Sequence, residues 1–194
     1  NKTIIFITHE LDEALKVGSR IAIMRAGEII QSGTSEEIIM NPIDEYVGEF
    51  TKSVRKADIQ SLSSIMNPPK TRLYTWQGPR LALHEMRVAE SEFAFVVDSS
   101  EQLLGVVTMD AARNAIDEVD IVSGIVEKTP IVLSADELVA TLITKLLDYD
   151  WNLMAIPVVD SEGKLVGELH RTTVQSIAAD LTLFDQKDLS NEKN

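Results

Sequence analysis

His9 is the first residue whose neighbours suggest chemistry. It heads the run His9-Glu10-Leu11-Asp12-Glu13. A zinc protease of the H-E-x-x-H type needs a second histidine four residues on, so that both imidazoles share a helix face. That position is Glu13, so the zinc reading fails. Two readings of His9 remain. It could cap the helix that follows, or it could meet a phosphate at a strand–helix junction, where α/β sheets present polar groups to ligands. His84 and His170 look isolated, and neither is assigned to a metal. Cysteine is absent, which excludes disulfides, thiolate zinc sites and cysteine nucleophiles. Trp76 and Trp151 sit beside helices. Buried packing is the expected role of both, with stacking on a purine as the alternative.

The elements that must position His9 come next. Thr3 to Thr8 is a continuous apolar run, the pattern of a strand buried on both faces. Such a strand needs neighbours on both sides, yet almost nothing precedes it. The expectation is a fragment, or the C-terminal end of a larger protein. Leu11, Ala14 and Leu15 start a helix that Gly18 stops. Arg20 to Met24 and Glu28 to Ser32 read as strands around a tight turn. Thr34-Ser35-Glu36-Glu37 opens a further helix, broken at Asn41-Pro42. A last helix spans about Asp44 to Lys52, with Tyr46, Val47 and Phe50 on one side.

The run from Thr3 to Ile38, including I-F-I-T-H-E-L-D-E-A-L and M-R-A-G-E-I-I-Q-S-G-T-S-E-E-I, resembles the C-terminal end of an ABC-transporter ATPase domain. The resemblance implies that His9 is the switch histidine, which contacts the γ-phosphate of ATP in the complete domain. Ser19, Ser35 and Glu10 depart from the usual residues, and none of them touches the histidine. The G-x-x-x-x-G-K-[ST] phosphate loop, the L-S-G-G-Q-type signature and the strand ending in the catalytic acid do not occur in this sequence. Phosphoryl transfer needs those parts together.

The remainder is a repeat. Phe93 to Thr108, F-A-F-V-V-D-S-S-E-Q-L-L-G-V-V-T, matches A-I-P-V-V-D-S-E-G-K-L-V-G-E-L-H at Ala155 to His170. Each copy reads as a hairpin with a helix before and after it. Pro79 starts the first leading helix, with Ala82, Met86 and Ala89 on one face. Ser134 and Glu137 suggest a capping box for the second, followed by the stripe Leu138, Val139, Leu142, Ile143 and Leu146. The trailing helices fall at Ala111 to Ile116 and Thr173 to Leu181. One unit is strand–helix–strand–strand–helix, and two can bury together what neither buries alone.

This doublet resembles a tandem CBS-domain pair, a Bateman module. The resemblance implies clefts that bind adenosine nucleotides, or cyclic di-AMP in some members. It carries over to Val106, Val107, Thr108 and Asp110 in the first copy. There the acid comes one residue earlier than is common, and capping of the next helix is the competing role for Thr108 and Asp110. In the second copy the resemblance offers Ile156 and Arg171 with no matching acid; Arg171 could equally face solvent.

The expected fold is α/β over 1–60, the end of an ABC ATPase domain, followed by an α+β tandem CBS module. The repeats run over 61–119 and 120–181, with a polar tail at 182–194. The combination resembles the ATP-binding subunit of an importer for glycine betaine, carnitine or proline. It implies a peripheral cytoplasmic subunit that forms a homodimer on a transmembrane permease. It also implies ATP in the complete subunit, and a CBS pair that senses ionic strength, cyclic di-AMP or another adenine nucleotide. A free-standing nucleotide-sensing CBS protein is the alternative. Composition agrees with a globular class, at 44% hydrophobic and 25% charged residues. No apolar run approaches the roughly 18 residues of a membrane-spanning helix. The net charge of −13 opposes a nucleic-acid partner. No metal is expected on this chain. Taken alone, the chain should release no phosphate from ATP above background in a steady-state assay, and magnesium-dependent turnover would contradict that.

Overall fold

In the computed structural model the described residues are 2–129, 131–146, 155–177 and 179, without the side chains of Ile143 and Thr144. They divide into two compact units. One is formed by residues up to Gln60 together with Leu138–Ala140, the other by the rest from Ser61.

The first unit opens with a correction. Thr3 to Thr8 forms no strand. A strand buried on both faces needs a partner on each edge. No described strand pairs with it, and Ile4, Ile5 and Ile7 are 82%, 86% and 90% exposed. Helix α1 (Leu11–Val17) follows, ending at Gly18. Strands β1 (Ile21–Arg25) and β2 (Glu28–Gly33) form an antiparallel hairpin. Ala26 and Gly27 both have positive φ, 53° and 88°, as a two-residue turn matched to strand twist requires. Helix α2 (Ser35–Met40) has the full capping box. Thr34 Oγ1 accepts the Glu37 N–H at 3.2 Å, and the Thr34 N–H donates to Glu37 Oε2 at 2.8 Å. Helix α3 (Glu45–Thr51) is capped by Asp44. Val47 is buried with Ile21, Ile23 and Ile38, whereas Tyr46 and Phe50 stack on each other at the surface. The three residues therefore do not share a buried side.

The second unit contains the repeat. The first copy is β3 (Arg72–Tyr74), α4 (Pro79–Val88), β4 (Phe93–Val97), β5 (Leu103–Thr108) and α5 (Met109–Asn114). The second is β6 (Leu133–Ser134), α6 (Val139–Leu146), β7 (Ala155–Val159), β8 (Leu165–His170) and a helix α7 beginning at 171. Helix α7 is described over 171–177, so its expected end at Leu181 lies outside the described residues. So do Trp151 and the expected polar tail. In each sheet the short first strand pairs parallel with the second, and the second pairs antiparallel with the third. The two hairpins coincide at an offset of 62, down to the irregularities at Val96/Val97 and Val158/Val159. Helix α6 starts at Val139, so Ser134 is not its cap. The Ser134 N–H donates to Glu137 Oε1 at 3.2 Å and closes the turn before the helix instead.

The repeated V-V-D and L-x-G motifs have separate physical reasons. Asp98 Oδ1 accepts the N–H groups of Ser100 and Gln102, and Asp160 Oδ1 accepts those of Glu162 and Lys164. Each aspartate thus folds its own hairpin turn. The glycines admit a foreign backbone. The segment leading into each copy lies against the last strand of the other. Val106 exchanges two backbone hydrogen bonds with Glu127, at 2.8 and 2.9 Å. Glu168 does the same with Asn67, also at 2.8 and 2.9 Å. A Cβ on Gly105 would meet Glu127 O at 2.1 Å, and one on Gly167 would meet Met66 Sδ at 2.4 Å. Between the sheets, Phe93, Phe95, Val97 and Val106 pack with Ala155 and Leu165. Gly105→Ala should therefore destabilise the chain by roughly 3 kcal/mol, at the upper end for overpacking a rigid contact. Gly124→Ala, whose nearest foreign atom lies at 3.6 Å, should cost well under half of that. Denaturant unfolding followed by circular dichroism at constant slope measures both.

Candidate functional site

His9 lies exposed in the bend before α1. It does not cap the helix, whose N-cap residue is Glu10 and which has no side-chain cap bond. The Thr8 hydroxyl accepts the Glu10 N–H at 3.0 Å and donates to Glu13 Oε2 at 2.7 Å. The imidazole is left at the surface of the first unit, where it is available to a ligand. The other candidate residues belong to the second unit.

In the first copy the chain brings Thr108 and Asp110 to the start of α5. The Thr108 hydroxyl accepts the Ala111 N–H at 3.2 Å and is the helix cap. Asp110 points to solvent and pairs with Arg113 at 2.8 Å, with side chains 83% and 54% exposed. An exposed i, i+3 pair of this kind contributes little to stability, so the carboxylate can be redirected to another partner at small cost. Val106 and Val107 are both buried, on opposite faces of β5. Val106 packs between the sheets, while Val107 packs under α4 and α5 with Leu73, Ala82, Met86 and Ala112. They form floors beneath a site rather than an open slot. In the second copy Ile156 is fully buried on β7, opposite Leu169, and Arg171 is exposed at the start of α7.

Two aromatic and acidic features depart from the expectations. Trp76 is 54% exposed, not buried; it stacks on Tyr74 with ring centroids 4.6 Å apart. The Tyr74 hydroxyl donates to Glu101, which also takes Arg72. That bond to Glu101 pushes the Tyr74 phenol above its ordinary value. His170 is not isolated: its Nε2 lies 2.9 Å from Oε1 of Glu168. Glu168 is 1% exposed, and its Oε2 accepts the Lys70 N–H at 3.2 Å. Burial pushes its carboxyl above the ordinary value, while the Lys70 N–H and the charges of His170 and Lys70 pull it partly back. Reading motifs alone passed over Glu168. Its signal was an acid in the apolar strand L-V-G-E-L-H, at the place the first copy gives to Val106.

Comparison with known proteins follows this geometry. The family model described as CBS domain matches residues 122–180. The glycine betaine/proline betaine transport system ATP-binding protein ProV of Salmonella typhimurium is 34% identical over 170 residues. That alignment covers 86% of this chain and 42% of ProV, so the chain spans less than half of that relative's length. The solved structure of Staphylococcus aureus OpuCA superposes with a TM-score of 0.53 at 24% identity, covering 60% of this chain and 97% of that one. The structure of CbpB in complex with c-di-AMP superposes with a TM-score of 0.52 at 12% identity, covering 66% and 90% of the two chains. At these identities the two structures establish the fold, a pair of CBS domains. In sequence the chain is similar to the C-terminal half of glycine betaine and carnitine transport ATP-binding proteins, and its fold is that of a CBS pair.

Proposed function

We propose that the chain is the regulatory C-terminal portion of an ATP-binding subunit that drives import of a quaternary-amine osmoprotectant. The observation that carries this reading is the order of parts. A stretch resembling the end of an ATPase domain, with His9 just before α1, runs into a CBS pair, and ProV aligns across both regions. In the complete subunit His9 contacts the γ-phosphate of ATP, and the subunit sits as a homodimer on a membrane permease at the cytoplasmic face. Among the described residues no helix is long and apolar enough to cross a membrane, which agrees with a peripheral part. Residues 61–119 and 120–181 act as the two CBS domains and report ionic strength, an adenine nucleotide, or both, to the ATPase.

Cyclic di-AMP is the favoured nucleotide. Thr108 and Asp110 stand at the start of α5, over the buried Val106 and Val107, and supply one set of polar contacts. Arg171 and the buried Ile156 are the corresponding residues of the second copy. Residues 61–181 hold 9 basic and 18 acidic residues. That field opposes the triphosphate of ATP more than the two phosphates of a cyclic dinucleotide. The CBS-type structure of CbpB was solved with c-di-AMP, a precedent for that ligand on this fold.

Calorimetry on the full chain tests the ranking. Cyclic di-AMP should bind more tightly than ATP, and Arg171→Ala should weaken it. Tighter binding of ATP that Asp110→Ala abolishes would restore an ordinary adenosine site. No heat with either would leave salt sensing as the function of the pair. In the complete importer, His9→Ala should lower ATP hydrolysis by roughly 10²–10³-fold, the usual effect of removing one positioned electrostatic group. Unchanged hydrolysis would refute the switch role.

A further inference from the structure

The second copy departs from the first at two positions of one strand, and the two departures meet. Strand β5 carries Val106 and Thr108, and β8 carries Glu168 and His170 in their places. Val106 is an ordinary member of the core between the sheets. Glu168 puts a carboxyl at the equivalent position, with 1% exposure. An unpaired charge in such a place is costly, and it normally acquires a partner or a proton. His170 is that partner, with Nε2 at 2.9 Å from Oε1.

The pair also fastens something. Residues 67–70 precede β3 and form a strap laid on β8. Asn67 is held by two backbone bonds to Glu168, and the Lys70 N–H by the Glu168 side chain. A ligand cannot reach Oε1, which is buried from solvent and makes no hydrogen bond; His170 Nε2 stands 2.9 Å from it as an ion-pair contact. Among the described residues no group of three His, Asp or Glu forms a metal cluster around it. A proton can reach it, because the His170 side chain is 28% exposed.

We propose that Glu168 and His170 form a proton-operated latch that fastens the Asn67–Lys70 strap of the first repeat to the last strand of the second. With one proton between them the pair is neutral overall. Either the carboxyl O–H donates to Nε2, or the imidazolium N–H donates to Oε1. When that proton leaves, one negative charge stays in a site closed to water. The charged groups acting on Glu168 are His170 on its own strand and Lys70 on the strap; its partner on β7 is Pro157, which carries no charge. Burial raises the proton affinity of Glu168 while the strap is closed. Lifting the strap returns the carboxyl to water and to its ordinary value. The closed state therefore holds more protons than the open one, so opening is favoured as pH rises. The strap leads directly into β3, so the latch sets how firmly the edge strand of the first sheet is tied to the second copy.

Nuclear magnetic resonance on the full chain tests this. The Glu168 carboxyl carbon should titrate above 4.5, its ordinary value. Amide exchange at Lys70, corrected for the intrinsic pH dependence, should lose protection across that transition. In Glu168→Gln the neutral amide still accepts the Lys70 N–H, and the loss should vanish. If that variant does not fold, the titration of the unaltered chain decides alone. The latch is overturned if Glu168 titrates at or below its ordinary value. It is also overturned if Lys70 protection is the same on both sides of the transition, or if its loss persists in Glu168→Gln.

Discussion

The second unit depends on one reciprocal exchange of backbone. The segment leading into each repeat is bonded to the last strand of the other, Glu127 to Val106 and Asn67 to Glu168. A lone two-stranded hairpin is marginal in water, and the apolar face of each three-stranded sheet here needs cover. Crossing the lead-in segments ties the two sheets together before any side chain is counted. The apolar layer of Phe93, Phe95, Val97, Val106, Ala155 and Leu165 then fills the space between them. The hairpin tips add a second tie, for the Leu103 N–H donates to Gly163 O and the Leu165 N–H to Glu101 O.

That exchange explains where the two copies are alike and where they are free to differ. Gly105 is required because the backbone of Glu127 passes too close for a Cβ, and a Cβ on Gly167 would press on the Met66 side chain. Asp98 and Asp160 are required because each closes a turn. Past the glycine the constraint relaxes, and function can enter. The first copy places Thr108 and Asp110 there, a cap and a redirectable acid. The second places Glu168 and His170, which face each other across 2.9 Å and have no counterpart in the first. One repeated pattern thus yields a polar helix start in one copy and a buried carboxyl beside a histidine in the other.

The first unit is governed by different physics. Its hairpin and capped helices form around Ile21, Ile23, Ile38 and Val47 with local signals that are individually strong. The segment before them carries the most apolar run in the sequence and buries none of its isoleucines. A strand of that type gains its stability only from neighbours, whereas a capped helix brings part of its own.

Local chemistry was legible in the sequence by itself. The offset of 62, the hairpins, the Thr34–Glu37 capping box, the Ala26-Gly27 turn and Pro79 at a helix start all rest on contacts between near neighbours, and the order of residue types encodes these directly. Contacts between distant residues were decided by tertiary structure. Thr3 to Thr8 has the pattern of a central strand and stays unpaired, because pattern cannot supply a partner. Ser134 and Glu137 have the spacing of a capping box, yet the helix begins later and they close a turn. Trp76 finds Tyr74 at the surface instead of a place in the core. Glu168 shows the limit best: an acid in an apolar strand marks an anomaly in sequence. Only the fold brings Asn67 and Lys70 from about a hundred residues away to bury it, and burial is what raises the proton affinity of an otherwise ordinary carboxyl.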